Sequence, residues 1–271
     1  MIRTLKYLNL LFFIIMVCIN AMANALPIGH GNTGAISEKY PNLFTPAPIT
    51  FSIWGVIYIL VAFFITYQFG IFNSTQLAHS VIRLVGPWFI VSCLMNIGWI
   101  FSWHYDRTGL SMVFMIGLLL SLIIITSRLS PVALGRSMAS EDIPFLAKLC
   151  TYTFDIYLGW IVAATIANMS VLLVKIQWNR FGLSEEFLTV VVLIVGAFIG
   201  MLFMLTSNRY MSAFAIIWAY CGILIKHISQ AGYAGTHPTI IVVTIIGIFM
   251  ILAAGLIRVV QNMETMVRMP M

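Results

Sequence analysis

Apolar segments long enough to cross a lipid bilayer recur along this chain and restrict its fold more than any other feature. A helix rises 1.5 Å per residue, so about 20 residues span the roughly 30 Å hydrocarbon core of a membrane. Only 8% of the residues are charged, whereas a soluble domain carries about 25%. The chain therefore predicts an all-α, polytopic helical bundle in a lipid bilayer, and its continuous apolar runs exclude a β-barrel. The eight segments lie at roughly 7–26, 49–70, 84–104, 109–127, 154–175, 187–206, 211–228 and 239–259.

Basic residues are scattered singly at the segment ends and are not gathered on one face. The net charge of +6 therefore does not indicate nucleic-acid binding, and nucleic acid is not an expected partner. If the N-terminus is cytoplasmic, nine basic residues lie inside and five outside, in agreement with the positive-inside rule. We predict that both termini are cytoplasmic and that the protein lies in the inner (plasma) membrane of a bacterium.

The first segment has two interpretations. Its basic start, apolar core and the triplet Ala21-Met22-Ala23 are typical of a cleaved signal peptide. Asn20 and Asn24, however, lie on one helical face, and the apolar stretch can be extended to about 20 residues. We favour a retained first helix.

The loop at residues 27–50 is the longest polar insertion near the predicted outer face. It is rich in glycine, proline, serine, threonine and asparagine, and so cannot be helical throughout. Loops of this length often cover a site. We expect this one to act as a lid.

The segment 154–175 carries polar groups that a helix facing lipid would avoid. Tyr157, Trp160, Ala164 and Asn168 fall on one helical face. An amide exposed to lipid costs roughly several kcal/mol, so this face is expected to point toward other helices or a cavity. For Asn168 taken alone, we favour hydrogen bonding between helices over a role in a pocket.

Two further segments carry comparable stripes. In the second segment, an aromatic belt at the membrane surface would explain Phe51 and Trp54. It would not explain Tyr58, which lies deeper in the membrane. Three stripes facing inward favour a pocket with flat aromatic walls and a few polar anchors. At spacings i, i+3 and i+7, the stripes are Phe51, Trp54 and Tyr58, and Asn96, Trp99 and Trp103.

Nothing else in the sequence indicates chemistry. Asp155 is interpreted as a helix cap or an interfacial acid, and His104 as an interfacial residue. The four cysteines lack metal-ligand spacing, so we predict no metal site and no catalytic residue. The last three segments are predicted only to pack.

The stripes resemble motifs of the TspO/MBR family, the tryptophan-rich sensory proteins. Residues 157–168 match the family's fifth-helix pattern P-Y-L-x-W-x-x-x-A-T-x-x-N, with Ile156 in place of the proline. Residues 54–58 resemble the family's second helix, 96–104 its third, and 106–110 the turn H-R-P-G-L. The chain departs from the family by lacking an acidic residue in the fourth helix.

The resemblance covers about residues 7–175 and implies a five-helix core, taken as residues 1–175, closed by the lid at 27–50. Residues 176–271 are then a three-helix transmembrane extension. Because the family binds porphyrins and sterol-like molecules, the expected partner besides the bilayer is a small apolar ligand. No cofactor is required, and a tetrapyrrole is a candidate ligand. A homodimer is compatible with the family. The implied ligand-binding residues are Trp54, Tyr58, Asn96, Trp99, Trp160, Ala164 and Asn168.

Three functions follow from the resemblance. The first is a membrane receptor or sensor for a planar apolar ligand such as a porphyrin or sterol-like molecule. The second is a transporter of tetrapyrroles or small metabolites, and the third is a porphyrin-modifying enzyme. The shortage of titratable groups near the pocket favours a non-enzymatic function.

Overall fold

The computed structural model describes residues 2–26, 31–71, 75–130, 135, 144–206 and 209–268. These residues contain no β-strand, which confirms the predicted all-α class. Two short 3-10 helices cover Pro48–Ser52 and Arg180–Gly182. The α-helices are α1 Ile2–Ala25, α2 Thr33–Glu38, α3 Ile53–Tyr67, α4 Thr75–Val85, α5 Trp88–His104, α6 Thr108–Arg128, α7 Phe145–Lys175, α8 Glu185–Leu205, α9 Tyr210–Ile228 and α10 Pro238–Arg268.

Helices of the described part of the chain account for all eight predicted segments. Seven described stretches are long and apolar enough to cross a bilayer: α1, α3 with the preceding 3-10 turn, and α6 to α10. The remaining segment corresponds to α4 and α5, which meet at 54°. The bend falls at Gly86, whose φ is +58°, and at Pro87, which has no backbone N–H to donate. The predicted polytopic membrane bundle is confirmed.

The long helix α7 lies at the centre of the bundle, where it contacts α3, α6 and α9. It begins at Phe145, directly after Pro144 and nine residues before the predicted segment. Its first turns mix polar and apolar residues and bury Ala147 and Cys150. The sequence predicts a short amphipathic piece near residues 143–149 as well as the apolar segment, and the structure joins residues 145–149 of that piece to the segment in one helix.

Two hydrophobic clusters form the core. The larger one contains side chains from the helices α1 through α7, together with two alanines of α9. The smaller one joins α8, α9 and α10 to Leu43 and Phe44 of the lid. The lid therefore packs into the C-terminal part of the chain as well as over the core. The division at residue 175 stays a prediction.

A buried ion pair attaches the start of α9 to α7. Arg209 Nη1 lies 3.0 Å from Asp155 Oδ1, and its Nη2 donates to the Thr126 carbonyl oxygen at 2.8 Å. The Ser212 hydroxyl donates to the Asp155 carbonyl oxygen at 2.8 Å. Asp155 was expected to be a helix cap or an interfacial acid. It instead lies ten residues inside α7, because that helix begins earlier than predicted.

Candidate functional site

Four aromatic rings from α3 and α5 form a continuous stack across the bundle. Tyr58 stacks on Trp54 with ring centroids 5.6 Å apart, and Trp54 stacks on Trp99 at 5.4 Å. Trp99 in turn stacks on Trp103 at 6.1 Å. The interplanar angles are 25°, 28° and 27°. The i, i+4 spacing within each helix aligns its two rings, and the contact between Trp54 and Trp99 joins the helices.

Helix α7 adds rings that meet this aromatic stack edge-on. Tyr157 and Trp160 lie 5.8 Å and 6.2 Å from Trp54, with interplanar angles of 78° and 87°. Phe51 meets Trp160 at 87° from the other side. The rings of α3 and α7 thus form perpendicular walls, the edge-to-face arrangement that aromatic quadrupoles favour.

The two predicted amides hold the aromatic residues in place. Asn96 Nδ2 donates to the Tyr157 hydroxyl at 3.1 Å, and Asn96 Oδ1 accepts from Asn20 Nδ2 at 2.7 Å. Asn168 Oδ1 accepts from Trp99 Nε1 at 3.2 Å and from a serine of α6 at 3.1 Å. Both amides therefore face inward as predicted. The contacts of Asn168 are hydrogen bonds from α7 to α5 and α6, as the alternative explanation for this residue predicts.

Beneath the lid, the rings of α3, α5 and α7 enclose a chamber with little free space. Ser37, Phe44 and Pro46 of the lid close it, and Ala163 and Ala164 provide its small-residue wall. The free volume is about 20 Å³, which is room for about one water molecule. The chamber is therefore closed and filled by its own side chains.

The structure brings five of the seven predicted ligand-binding residues to this chamber. A second, open cavity of about 440 Å³ lies between α1, α3 and the lid, and it shares Phe51 and Trp54 with the chamber as lining residues. Tyr58 lines this open cavity, and Asn96 lines neither space. The five chamber residues are Trp54, Trp99, Trp160, Ala164 and Asn168.

Two of the chamber residues carry unused hydrogen-bond donors. The indole N–H groups of Trp54 and Trp160 are buried and meet no acceptor in the described part of the chain. A buried donor without a partner costs about 1–3 kcal/mol. A ligand with a polar atom at its edge would remove that cost.

The lid is held on one side by Asp106, in the turn between α5 and α6. Lys39 Nζ lies 2.6 Å from Asp106 Oδ2, and the Tyr40 hydroxyl donates to the same oxygen at 2.8 Å. Lys175, at the end of α7, lies 2.9 Å from Oδ1. Partial burial raises the pKa of Asp106, but the hydrogen bonds from Lys39, Lys175 and Tyr40 outweigh it and hold the pKa at about 2.

The lid is held on the other side by α9. Trp218 Nε1 donates to the Thr50 carbonyl oxygen at 2.9 Å, and the Ala47 N–H donates to the Gly222 carbonyl oxygen at 3.0 Å. Lys226 forms an ion pair with Glu38 at 2.8 Å. The last three helices were expected only to pack, and for α9 this expectation is wrong, because α9 also forms hydrogen bonds and an ion pair with the lid. Trp218, Gly222 and Lys226 recur at i, i+4 and i+8, a polar and small stripe that could have been noticed.

Comparison with known families finds one match that covers most of the chain. The family described as TSPO-like protein matches residues 6–257. The chain belongs to the TSPO-like family. The match confirms the resemblance to TspO/MBR proteins and supports an integral, multi-pass membrane protein of the general receptor or sensor type. It also continues through α8, α9 and most of α10, so the helices that hold the lid lie within the matched region.

No curated protein and no solved structure matches this TSPO-like chain. His104, expected at the membrane surface, is fully buried, and its Nδ1 lies 2.9 Å from the Ile100 carbonyl oxygen. Among the described residues, no three histidine, cysteine or acidic side chains are grouped as metal ligands.

Replacing Asp106 with asparagine is expected to loosen the lid of this TSPO-like protein. The change removes the charge that pairs with Lys39 and Lys175, and we expect amide hydrogens of residues 36–45 to exchange about tenfold faster. Hydrogen–deuterium exchange with mass spectrometry measures this. Glu264→Gln, at an exposed position of α10, is the control and should leave lid exchange unchanged.

The pH dependence of this contact has a definite sign. Because the pKa of Asp106 is lowered to about 2, its stabilisation of the lid is fully present above the ordinary aspartate pKa of about 3.9. It is lost only as pH falls toward about 2. We therefore expect the difference in lid exchange between wild type and Asp106→Asn to stay constant from about pH 5 to 8. A difference that disappears within that range would contradict this assignment.

Proposed function

We propose that this protein is a membrane receptor that binds a planar, mostly apolar ligand, such as a porphyrin or a sterol-like molecule, in the chamber beneath the lid. The observation that supports this best is the pair of perpendicular aromatic walls meeting at Trp54. Flat rings offer large contact areas to a flat ligand at small entropic cost. The buried N–H groups of Trp54 and Trp160 add two donors for a polar edge of that ligand.

Binding in this chamber requires the lid to move. Small-molecule sites usually enclose about 300–1,000 Å³, far more than the roughly 20 Å³ found here. Displacement of Phe44 and Pro46 would enlarge the chamber while the walls on α3, α5 and α7 stay in place. The observed conformation is then the closed one, and the receptor signals by the position of its lid.

The test is tryptophan fluorescence of the purified full-length protein during titration with protoporphyrin. We expect the double variant Trp54→Phe/Trp160→Phe to weaken binding about tenfold, because it removes both indole donors and reduces the stacking area. Trp88→Phe, at the opposite end of α5, is the control and should bind like wild type. Unchanged affinity in the double variant would overturn the proposal.

Transport and porphyrin modification remain alternative predictions. Flux of protoporphyrin into liposomes containing the protein would support transport. Light-dependent loss of protoporphyrin that requires Trp54 and Trp160 would support an enzyme. Saturable binding without flux or chemical change is the result expected for a receptor.

A further inference from the structure

A third cavity lies beside the chamber, between α7 and α8 at the lid end of the bundle. Helix α8 packs mainly against α9 and α10. The space left beside α7 has a volume of about 590 Å³, within the range of small-molecule sites. Leu173 and Val174 of α7 face Leu188 and Val192 of α8 across it. This cavity, here called the α7–α8 cleft, therefore has apolar walls on both sides.

The mouth of the α7–α8 cleft is polar and carries a cation. Gln177 and Asn179 provide amide groups, and Arg180 lines the cleft with 48% of its side chain exposed. Glu185 also lines the cleft; its Oε1 accepts from the Leu43 N–H, and its Oε2 lies 3.5 Å from Arg180 Nη1. This long contact uses one guanidinium nitrogen and leaves the other donors available. The cleft thus combines an apolar interior with a polar entrance, where the Arg180 guanidinium lies beside the Glu185 carboxylate.

Aromatic residues place this entrance at the membrane surface. Trp178 lines the cleft and meets Phe181 edge-on at 5.3 Å, and Phe181 is 81% exposed. Exposed aromatic residues at the end of a spanning helix are typical of the boundary between lipid tails and headgroups. A molecule entering the cleft would therefore come from the adjacent leaflet.

We propose that the α7–α8 cleft binds a single-chain amphiphile with an anionic carboxylate head. The chain lies between the apolar side chains of α7 and α8, and the carboxylate accepts hydrogen bonds from Arg180. Phe44 separates the cleft from the chamber, since it lines both. The site is thus distinct from the proposed porphyrin site and shares one wall, Phe44, with it.

Trp178 provides a reporter for this site in the full-length protein. Titration with 9,10-dibromostearate in detergent should quench Trp178 fluorescence in a saturable manner, and Trp178→Phe should lose that component. Val192→Phe fills the cleft and should also abolish saturable quenching. Val191→Phe makes the same change one position away, on an exposed face, and should behave like wild type.

The identity of the head group is tested with Arg180→Gln. We expect this variant to bind dibromostearate about fivefold more weakly and the uncharged methyl ester equally well, because Arg180 is half exposed. Quenching that never saturates, or that persists in Val192→Phe, would show nonspecific partitioning and overturn the site. Equal binding of acid and ester by wild type would overturn the anionic head. Protoporphyrin titration of the same proteins distinguishes failure here from failure of the chamber.

Discussion

Replacing Gly159 with alanine should force α7 and α9 apart. A Cβ atom at this position would lie 2.7 Å from the Ser212 carbonyl carbon and even closer to its oxygen. Those atoms belong to the backbone of α9, so no side-chain rotation relieves the overlap. Overpacking of this kind costs about 1–3 kcal/mol, and more where a helix must move. We expect Gly159→Ala to lower the thermal midpoint in detergent by several degrees, measured by circular dichroism.

The same variant should also release the lid. Because α9 supplies the contacts to Thr50, Ala47 and Glu38, displacement of α9 should increase hydrogen exchange across residues 36–50. Gly55→Ala is the matched control, since an added Cβ there meets no atom within 4 Å. A Gly159→Ala protein with unchanged midpoint and lid exchange would show that the two helices are not in this close contact.

Breaking the ion pair between Asp155 and Arg209 should have the largest effect on stability. Arg209→Gln leaves the Asp155 carboxylate, only 11% exposed, without its cation. Removing one partner of a buried pair costs about 3–5 kcal/mol because the remaining charge is uncompensated. We expect severe loss of folded protein after extraction, measured by size-exclusion chromatography.

A second substitution distinguishes a charge effect from a packing effect. In Asp155→Asn/Arg209→Gln no charge is buried, and the two amides can still bond to one another. The double variant should therefore recover more than half of the lost stability. If it is as unstable as Arg209→Gln alone, the Arg209 contact with Thr126 and the surrounding packing dominate instead.

Sequence reasoning predicted the membrane bundle and the inward stripes because both depend on local periodicity. A helix that carries Tyr157, Trp160, Ala164 and Asn168 on one face cannot turn that face to lipid without leaving polar groups unpaired. The inward direction of Asn96 follows for the same reason.

What the sequence could not predict depends on contacts between distant parts of the chain. The positions of Tyr58 and Asn96 outside the chamber follow from how α1 packs. Asn20 of α1 donates a hydrogen bond to the side-chain amide of Asn96, which was expected to contact a ligand. The pairing of Asp155 with Arg209 spans 54 residues, and that of Glu38 with Lys226 spans 188. No pattern within one segment contains this information.

Attachment of the lid on two sides affects the rate of ligand release as well as the affinity. A loop tied to both Asp106 and α9 cannot swing out until contacts on at least one side are broken, so a captured molecule would leave slowly even if it touched its surroundings only weakly. Residence time and equilibrium affinity then become separate properties, one governed by the lid contacts and the other by the aromatic walls. The residence time of a bound ligand would then depend jointly on residues far apart in the sequence, such as Lys39 and Lys226.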